Sequence, residues 1–256
     1  MNESYLNAVM EVATLAGNFA MSHYRNSLDV NRKQDGSPVT VADRGAEQLA
    51  RRWIEERFPS DGILGEEFGN IRPDARRRWI IDPIDGTRSF ISGVPLWGTL
   101  IAVAEDDSVL AGCAHFPAVE ETVAAALGEG CFWNGTSCSV STRNTIDRST
   151  VLITDDRFPN RVDRASAWNA LAEQAEVART WGDCYGYLLV ATGRAEVMLD
   201  DVVAPWDSAA LYPIITEAGG VFTDWLGNPT PFGGDVIATN ASLARSVRQI
   251  LIPQSS

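Results

Sequence analysis

Leu6, Val9, Ala13, Ala16 and Ala20 recur at alternating steps of three and four residues, which places them on one face of a helix. The chain is therefore predicted to open with an amphipathic helix. The polar stretch "VNRKQDGSPVTVAD" follows, with Gly36, Ser37 and Pro38 marking a turn or loop. Ala46, Leu49, Ala50, Trp53 and Ile54 restore the helical period and predict a second helix that ends before Pro59. A strand opens at Trp79–Ile81. "WGTLIAVAEDDSVLAGCAHF" reads as two strands joined by a tight turn at Glu105–Asp107, and "ETVAAALGEGCFWNG" as further antiparallel strands with a turn at Asn134-Gly135.

The pattern changes near residue 145. "STVLITDD", "AEVMLD", "GVFTDW" and "DVIATN" read as strands, and "ARTWGD" as a strand end. "RASAWNALAEQ", "CYGYLLVATGR", "DSAALYPIITEAGG" and "ASLARSVRQIL" read as helices between or after them. Strand alternating with helix favours an α/β layer, after a first half that reads as α+β. We expect two closely packed subdomains, 1–145 and 146–256, with a site between them.

The 256 residues are enough for a sizeable core, and 45% hydrophobic content marks a globular chain. The net charge of −13 argues against generic nucleic-acid or anionic-membrane binding. It does not exclude a small phosphorylated substrate, because a bound cation inverts the local field. The N-terminus carries Glu3 and Glu11 and has no basic region before an apolar one, so no secretory signal is predicted. Without an apolar run of about 18 residues, no membrane span is predicted either, and the expected location is the cytoplasm. Cys113, Cys131, Cys138 and Cys184 form no CxxC pair, which predicts reduced, mostly buried thiols. His23 and His115 are read as structural.

Chemistry concentrates in "WIIDPIDGTRSF". Asp82 and Asp85 end an apolar strand, where two carboxylates repel each other and lose solvation. A divalent cation would resolve that cost, since carboxylate oxygens are hard ligands, and the Ile84 carbonyl is a further candidate. The backbone N–H groups of Gly86 and Thr87, opening a helix, could hold a phosphate. The alternative is that both aspartates merely cap a helix. Elsewhere, "GEEFG" supplies Glu66 and Glu67, "PWDSAA" supplies Asp207, and "SPVTVAD" ends in Asp43. Together these carboxylates are enough to bridge two metals.

"GEE", "DPIDGT", "PWDSAA" and "EAGG", in that order and spacing, resemble the inositol monophosphatase superfamily across nearly the whole chain. The resemblance implies a layered αβαβα sandwich and a lithium-sensitive phosphomonoesterase using two or three Mg²⁺ ions, with Mn²⁺ as a possible substitute. It implies Glu66, Asp82, Ile84, Asp85 and Asp207 as metal ligands. Thr87, Asp43 and Glu66 would orient and deprotonate an attacking water, and Gly86 and Thr87 would contact phosphate. It further implies a homodimer acting on a small phosphate ester. "RTWGDCYGYLLVATGRAEVMLD" and "DPIDGTRSFISGVPLWGTLIA" resemble the histidinol-phosphatase branch. There Asp183 stands where inositol-type members carry small uncharged residues.

Histidinol phosphate carries an ammonium and a partly cationic imidazole, which a carboxylate would pair with. Asp183 and Asp200 are the candidates, with Arg88 beside them, and the competing reading of Asp183 is a helix N-cap. An inositol-1-phosphate or broad sugar-phosphate phosphatase is the alternative enzyme. A metal- or phosphate-binding regulator without catalysis is the alternative outside enzymes, disfavoured because no expected ligand is missing.

Overall fold

The computed structural model describes residues 4–26, 30–32, 38–158 and 161–252. The turn expected at Gly36-Ser37 lies outside them. The opening helix α1 (Tyr5–Met21) buries Val9, Ala13, Ala16 and Ala20 of the predicted stripe and half-buries Leu6. A short pair of strands, β1 (Asn31–Arg32) and β2 (Pro38–Val39), leads into α2 (Val41–Arg57).

Then come β3 (Gly62–Gly65), β4 (Gly69–Ile71), β5 (Arg77–Asp85), the short helix α3 (Thr87–Ile91), β6 (Gly98–Glu105), β7 (Ser108–Phe116), β8 (Glu121–Ala126), β9 (Gly130–Trp133) and β10 (Thr136–Ser137). These strands form an eight-stranded sheet in the order β10-β9-β8-β7-β6-β5-β3-β4, antiparallel except where β3 runs parallel to β5. Both turns expected from sequence are present: Asp106 and Asn134 take positive φ at the β6–β7 and β9–β10 corners.

The second sheet follows residue 149. Its strands are β11 (Thr150–Ile153), β12 (Val177–Arg179), β13 (Val197–Asp200), β14 (Gly220–Thr223) and β15 (Val236–Asn240), ordered β12-β11-β13-β15-β14. Between them lie α4 (Val162–Ala172), α5 (Cys184–Ala191), α6 (Pro205–Ser208), α7 (Leu211–Glu217) and, last, α8 (Ala244–Leu251). The single helix expected over "DSAALYPIITEAGG" is two helices, with Asp207 in the first.

Three cores stack these elements into five layers. Period-2 alternation sends Trp79, Ile81, Ile101 and Val103 toward α1 and α2, and Ile80, Leu100 and Ala102 toward α5 and α7. Met198 and Ala238 close that middle core from the second sheet. Val197, Leu199 and Ile237 face outward onto α4 and α8. The order is therefore αβαβα, as the resemblance implied. Both sheets are buried on both faces, which is why their central strands read as nearly continuous apolar runs. Among the described residues no helix is long and apolar enough to cross a membrane.

Among the described glycines, the closest approach to another stretch of backbone is where the α6–α7 joint meets β7. A Cβ on Gly112 would lie 2.2 Å from the Ala210 carbonyl oxygen, which is backbone and cannot swing away. Gly112→Ala is expected to cost about 3 kcal/mol or more by chemical denaturation. Gly128→Ala meets nothing within 4 Å and bears only its positive φ of 78°, so its expected cost is about 1 kcal/mol. Equal losses would show that the joint gives way.

Candidate active site

The strand read as Trp79–Ile81 continues to Asp85, but not regularly. Asp82 pairs with Leu100 and Asp85 with Gly98, so three steps along β5 match two along β6. This bulge absorbs one extra residue at Pro83-Ile84, where proline's missing N–H is no loss to the ladder. Thr99 Oγ1 donates to the Pro83 carbonyl at 2.8 Å, and the Ile84 N–H donates to Asp82 Oδ1 at 3.0 Å. The bulge re-aims the carboxylates so that Asp82 and Asp85 point to a common space.

Asp207 reaches that space from α6, anchored by the Ala204 N–H donating to its Oδ2 at 2.7 Å. One carboxylate oxygen each from Asp82, Asp85 and Asp207 lies within 4.8 Å of the others. Glu66, which follows β3, donates its own N–H to the Ile81 carbonyl at 3.2 Å, and its side chain is hydrogen-bonded to Asp82. Asp82, Asp85 and Asp207 thus form one cluster, and Glu66 adjoins it through Asp82. Burial, followed by the neighbouring carboxylates, holds the Asp82 and Asp85 pKa values well above the ordinary range. At neutral pH such a crowded group of buried and half-buried oxygens takes up either protons or a cation. An all-oxygen donor set of carboxylates with a backbone carbonyl beside it fits a hard divalent ion.

Thr87 and Asp43 lie beside the Ile84 carbonyl of the same bulge. Asp43 is the N3 residue of α2 and is fully buried; its Oδ2 accepts from the Thr40 N–H at 2.7 Å and the Thr40 hydroxyl at 2.6 Å. This capping box leaves Oδ1 toward Thr87. Thr87 Oγ1 donates to the Ile84 carbonyl at 3.0 Å, with Asp43 Oδ1 a longer alternative acceptor at 3.5 Å. Gly86 precedes α3 at φ 85°, and a Cβ there would lie 3.0 Å from both Asp183 Oδ2 and the Leu96 carbonyl.

Asp183 occupies the N-cap position of α5 but makes no side-chain cap bond. The Cys184 N–H donates instead to Asp85 Oδ2 at 2.5 Å, so an aspartate of the carboxylate cluster caps this helix. Asp183 sits at φ 48°, ψ −155°, a conformation costly for any residue but glycine. Its N–H is held by Thr154 Oγ1 at 2.9 Å and its carboxylate by Ser89. Burial first, then Asp207, raises its pKa to about 6.

Asp200 is buried at the end of β13, where its Oδ2 accepts from the Tyr187 hydroxyl at 2.6 Å; burial raises it to about 7. Asp85, Asp183, Asp200 and Asp207 line one cavity of about 70 Å³. On the other side of Asp183 runs a groove of about 520 Å³, lined by Arg88, Leu96, Asp155, Arg157 and Thr180 among others. Arg88 is exposed along its wall. The two histidines lie in packing positions: His115 Nδ1 is 2.8 Å from Thr122 Oγ1 and burial lowers its pKa to about 4, while His23 Nδ1 is 3.1 Å from the Phe19 carbonyl oxygen.

Sequence reasoning passed over Glu47 and Arg51. Glu47, fully buried on α2, accepts from Arg51 Nε at 2.7 Å, from the Glu67 N–H at 2.7 Å and from the Phe68 N–H at 3.2 Å. It shapes the turn that presents Glu66. The available signal was the i,i+4 acid–base spacing within "EQLAR", usually a solvated pair. Thr154 and Ser89, which hold Asp183, carried no signal of their own.

The profile of the inositol monophosphatase family matches residues 1–252. A histidinol-phosphatase of Chlorobaculum parvum is 42% identical over 94% of each chain. A histidinol-phosphatase of Mycobacterium tuberculosis is 36% identical over 84% of this chain and 85% of its own. Among solved structures, an inositol monophosphatase from Zymomonas mobilis superposes with a TM-score of 0.86 at 32% identity, covering 96% of this chain and 97% of that one.

Two outcomes are expected of this geometry. Asp183 and Asp200 hold protons more tightly folded than unfolded, where the ordinary value is near 3.8. Their contribution is therefore greatest below about pH 4 and is lost as pH rises to about 7. Thermal unfolding of the metal-free protein should show stability falling across that window, Asp200→Asn should flatten the fall, and Mg²⁺ should restore more at the upper end. A slope unchanged in Asp200→Asn would count against the assignment. Separately, Glu47→Gln leaves the buried Arg51 without its carboxylate and is expected to cost about 3–5 kcal/mol in urea unfolding. Glu55→Gln, in the exposed pair with Arg72, should change stability by under about 0.5 kcal/mol.

Proposed function

Because the chain belongs to the inositol monophosphatase family, and so is a phosphoric monoester hydrolase, we propose that its substrate is histidinol phosphate and its cofactor Mg²⁺. The observation that carries the substrate is Asp183. A strained, half-buried carboxylate that caps nothing stands where the small cavity of the carboxylate cluster meets the larger groove. Backbone strain of this kind persists where the surrounding structure enforces it, commonly at a ligand site. A cationic leaving group, ammonium with imidazole, gives that carboxylate a partner that a neutral polyol lacks. The two histidinol-phosphatase relatives support the same reading.

Asp82, Asp85, Asp207, Glu66 and the Ile84 carbonyl would hold Mg²⁺. Bound there, the ion would neutralise phosphate oxygens and acidify a water molecule. The remaining tasks fall to the chain. The Thr87 hydroxyl, with Asp43 as its alternative acceptor, orients the attacking water, and Asp43 and Glu66 are the carboxylates that take up its proton. The N–H groups of Gly86 and Thr87 hold the phosphate. Asp183 and Asp200 pair with the cationic end, and Arg88 borders the groove through which that end extends. We read residues 1–145 as the part supplying most ligands and 146–256 as the part supplying Asp207 and the substrate contacts. A cytoplasmic location belongs to the same proposal, since the substrate is a small water-soluble ester. The homodimer rests on resemblance to the family.

The test is phosphate release with Mg²⁺ from histidinol phosphate, inositol-1-phosphate and a nucleoside 3′-phosphate. Histidinol phosphate should be preferred by kcat/KM at least about tenfold. Asp183→Asn, chosen because asparagine tolerates positive φ, should lose about 10- to 100-fold on histidinol phosphate, the worth of about 1.5–3 kcal/mol for a charged hydrogen bond, and little on inositol phosphate. Asp82→Asn should abolish turnover of every substrate. Equal losses of Asp183→Asn on both esters would make it a structural residue and favour the inositol-phosphate reading.

A further inference from the structure

None of the four cysteines takes part in the chemistry above, and all four are free thiols. Two of them are not isolated. Cys131 lies on β9 and Cys138 directly follows β10. The ladder between these strands pairs Trp133 with Thr136 and Phe132 with Ser137, so the next facing pair is Cys131 and Cys138. The Cys138 N–H donates to the Cys131 carbonyl at 3.0 Å, and the two sulfurs are 3.5 Å apart.

Facing residues of an antiparallel ladder have Cα atoms about 4.5–5.5 Å apart, within the range of about 4.4–6.8 Å that a disulfide spans. Closing the sulfurs to a bond therefore requires side-chain rotation rather than backbone movement. Their settings differ. Cys131 is buried, whereas Cys138 is half-exposed. The hydrogen bond between the sulfurs, aided by the nearby Arg194 guanidinium, lowers the Cys138 pKa; the same bond and burial raise that of Cys131. Arg194 is itself fixed by Glu121 at 2.6 Å and lies over the Trp133 ring at 4.8 Å. A half-exposed cysteine of lowered pKa facing a buried thiol is the layout of an attacking and a resolving cysteine.

We propose that Cys131 and Cys138 form a reversible dithiol–disulfide site that clasps the edge of the large sheet. β10 has a neighbour on one side only, and the chain from Cys138 onward crosses to the second sheet, with the Val140 N–H on the Ala218 carbonyl and Ser141 on Glu196. The disulfide would tie that crossing to β9. With glutathione disulfide as oxidant, the Cys138 thiolate attacks one of its sulfurs and expels a glutathione thiolate. Cys131 then gives up its proton and its sulfur attacks Cys138, forming the protein disulfide and expelling the second glutathione. Two protein thiols are oxidised and one glutathione disulfide is reduced to two glutathiones.

The test is native thiol titration and intact mass of the reduced full chain after exposure to glutathione disulfide. The wild type is expected to lose two of its four thiols and retain no glutathione, with Cys131 and Cys138 joined in peptide maps and both released by dithiothreitol. Cys131→Ser should trap one glutathione on Cys138, Cys138→Ser should react at least about tenfold more slowly, and Cys113→Ser should behave as wild type. A stable glutathione adduct on the wild type, equal reaction at all four thiols, or no thiol loss would each overturn the proposal.

Discussion

Mutual repulsion among carboxylates at the end of a buried strand is the constraint on which the site depends. Asp82, Asp85 and Asp207 would not converge unless the fold overrode their preference for water and for distance. Each is held by something outside itself. The β5 bulge and the Ile84 N–H fix Asp82, the first turn of α5 fixes Asp85, and the Ala204 N–H fixes Asp207. The stability lost in assembling them is offset by the apolar cores on both sides of the strand, where Trp79, Ile81, Ile80 and Leu100 are buried.

The second tier of residues is built in the same manner. Glu47 and Arg51 commit a buried ion pair to the shape of one turn, and Thr40 commits its backbone and hydroxyl to Asp43. A buried pair of this kind adds little net stability over an apolar substitute, but it fixes a backbone geometry that apolar packing alone does not. Asp183 follows the same logic at the backbone level, with Thr154 and Ser89 holding a conformation the chain would otherwise avoid. Precise placement of Glu66 and Asp183 is thus a property of their neighbours.

Much of this was legible in the chain. The helical stripe of α1, the strands around Trp79 and Leu100, both hairpin turns and the strand–helix alternation after residue 145 appear where periodicity puts them. Boundaries were less so. The helix through Asp207 divides where its first turn, opened by Pro205, anchors Asp207 and Ser208, and Ala210, between the two helices, packs against Gly112 of β7. Asp183 resembled an N-cap by position, and local spacing has no way to register that a carboxylate 98 residues earlier in the chain, Asp85, takes that role. Irregular cysteine spacing likewise gave no hint of two sulfurs facing each other across a ladder.

The sequence by itself determined which groups the chain offers for chemistry: carboxylates at the ends of apolar runs, a glycine before a short helix, and an acid, Asp183, before an apolar one. It could do so because residue type and local period are intrinsic to the chain. Only the tertiary structure decided which of those groups meet, how deeply each is buried and which neighbour satisfies it. Repulsion, desolvation and backbone strain depend on distances across the sheets and helices, and those distances exist only once the layers have packed.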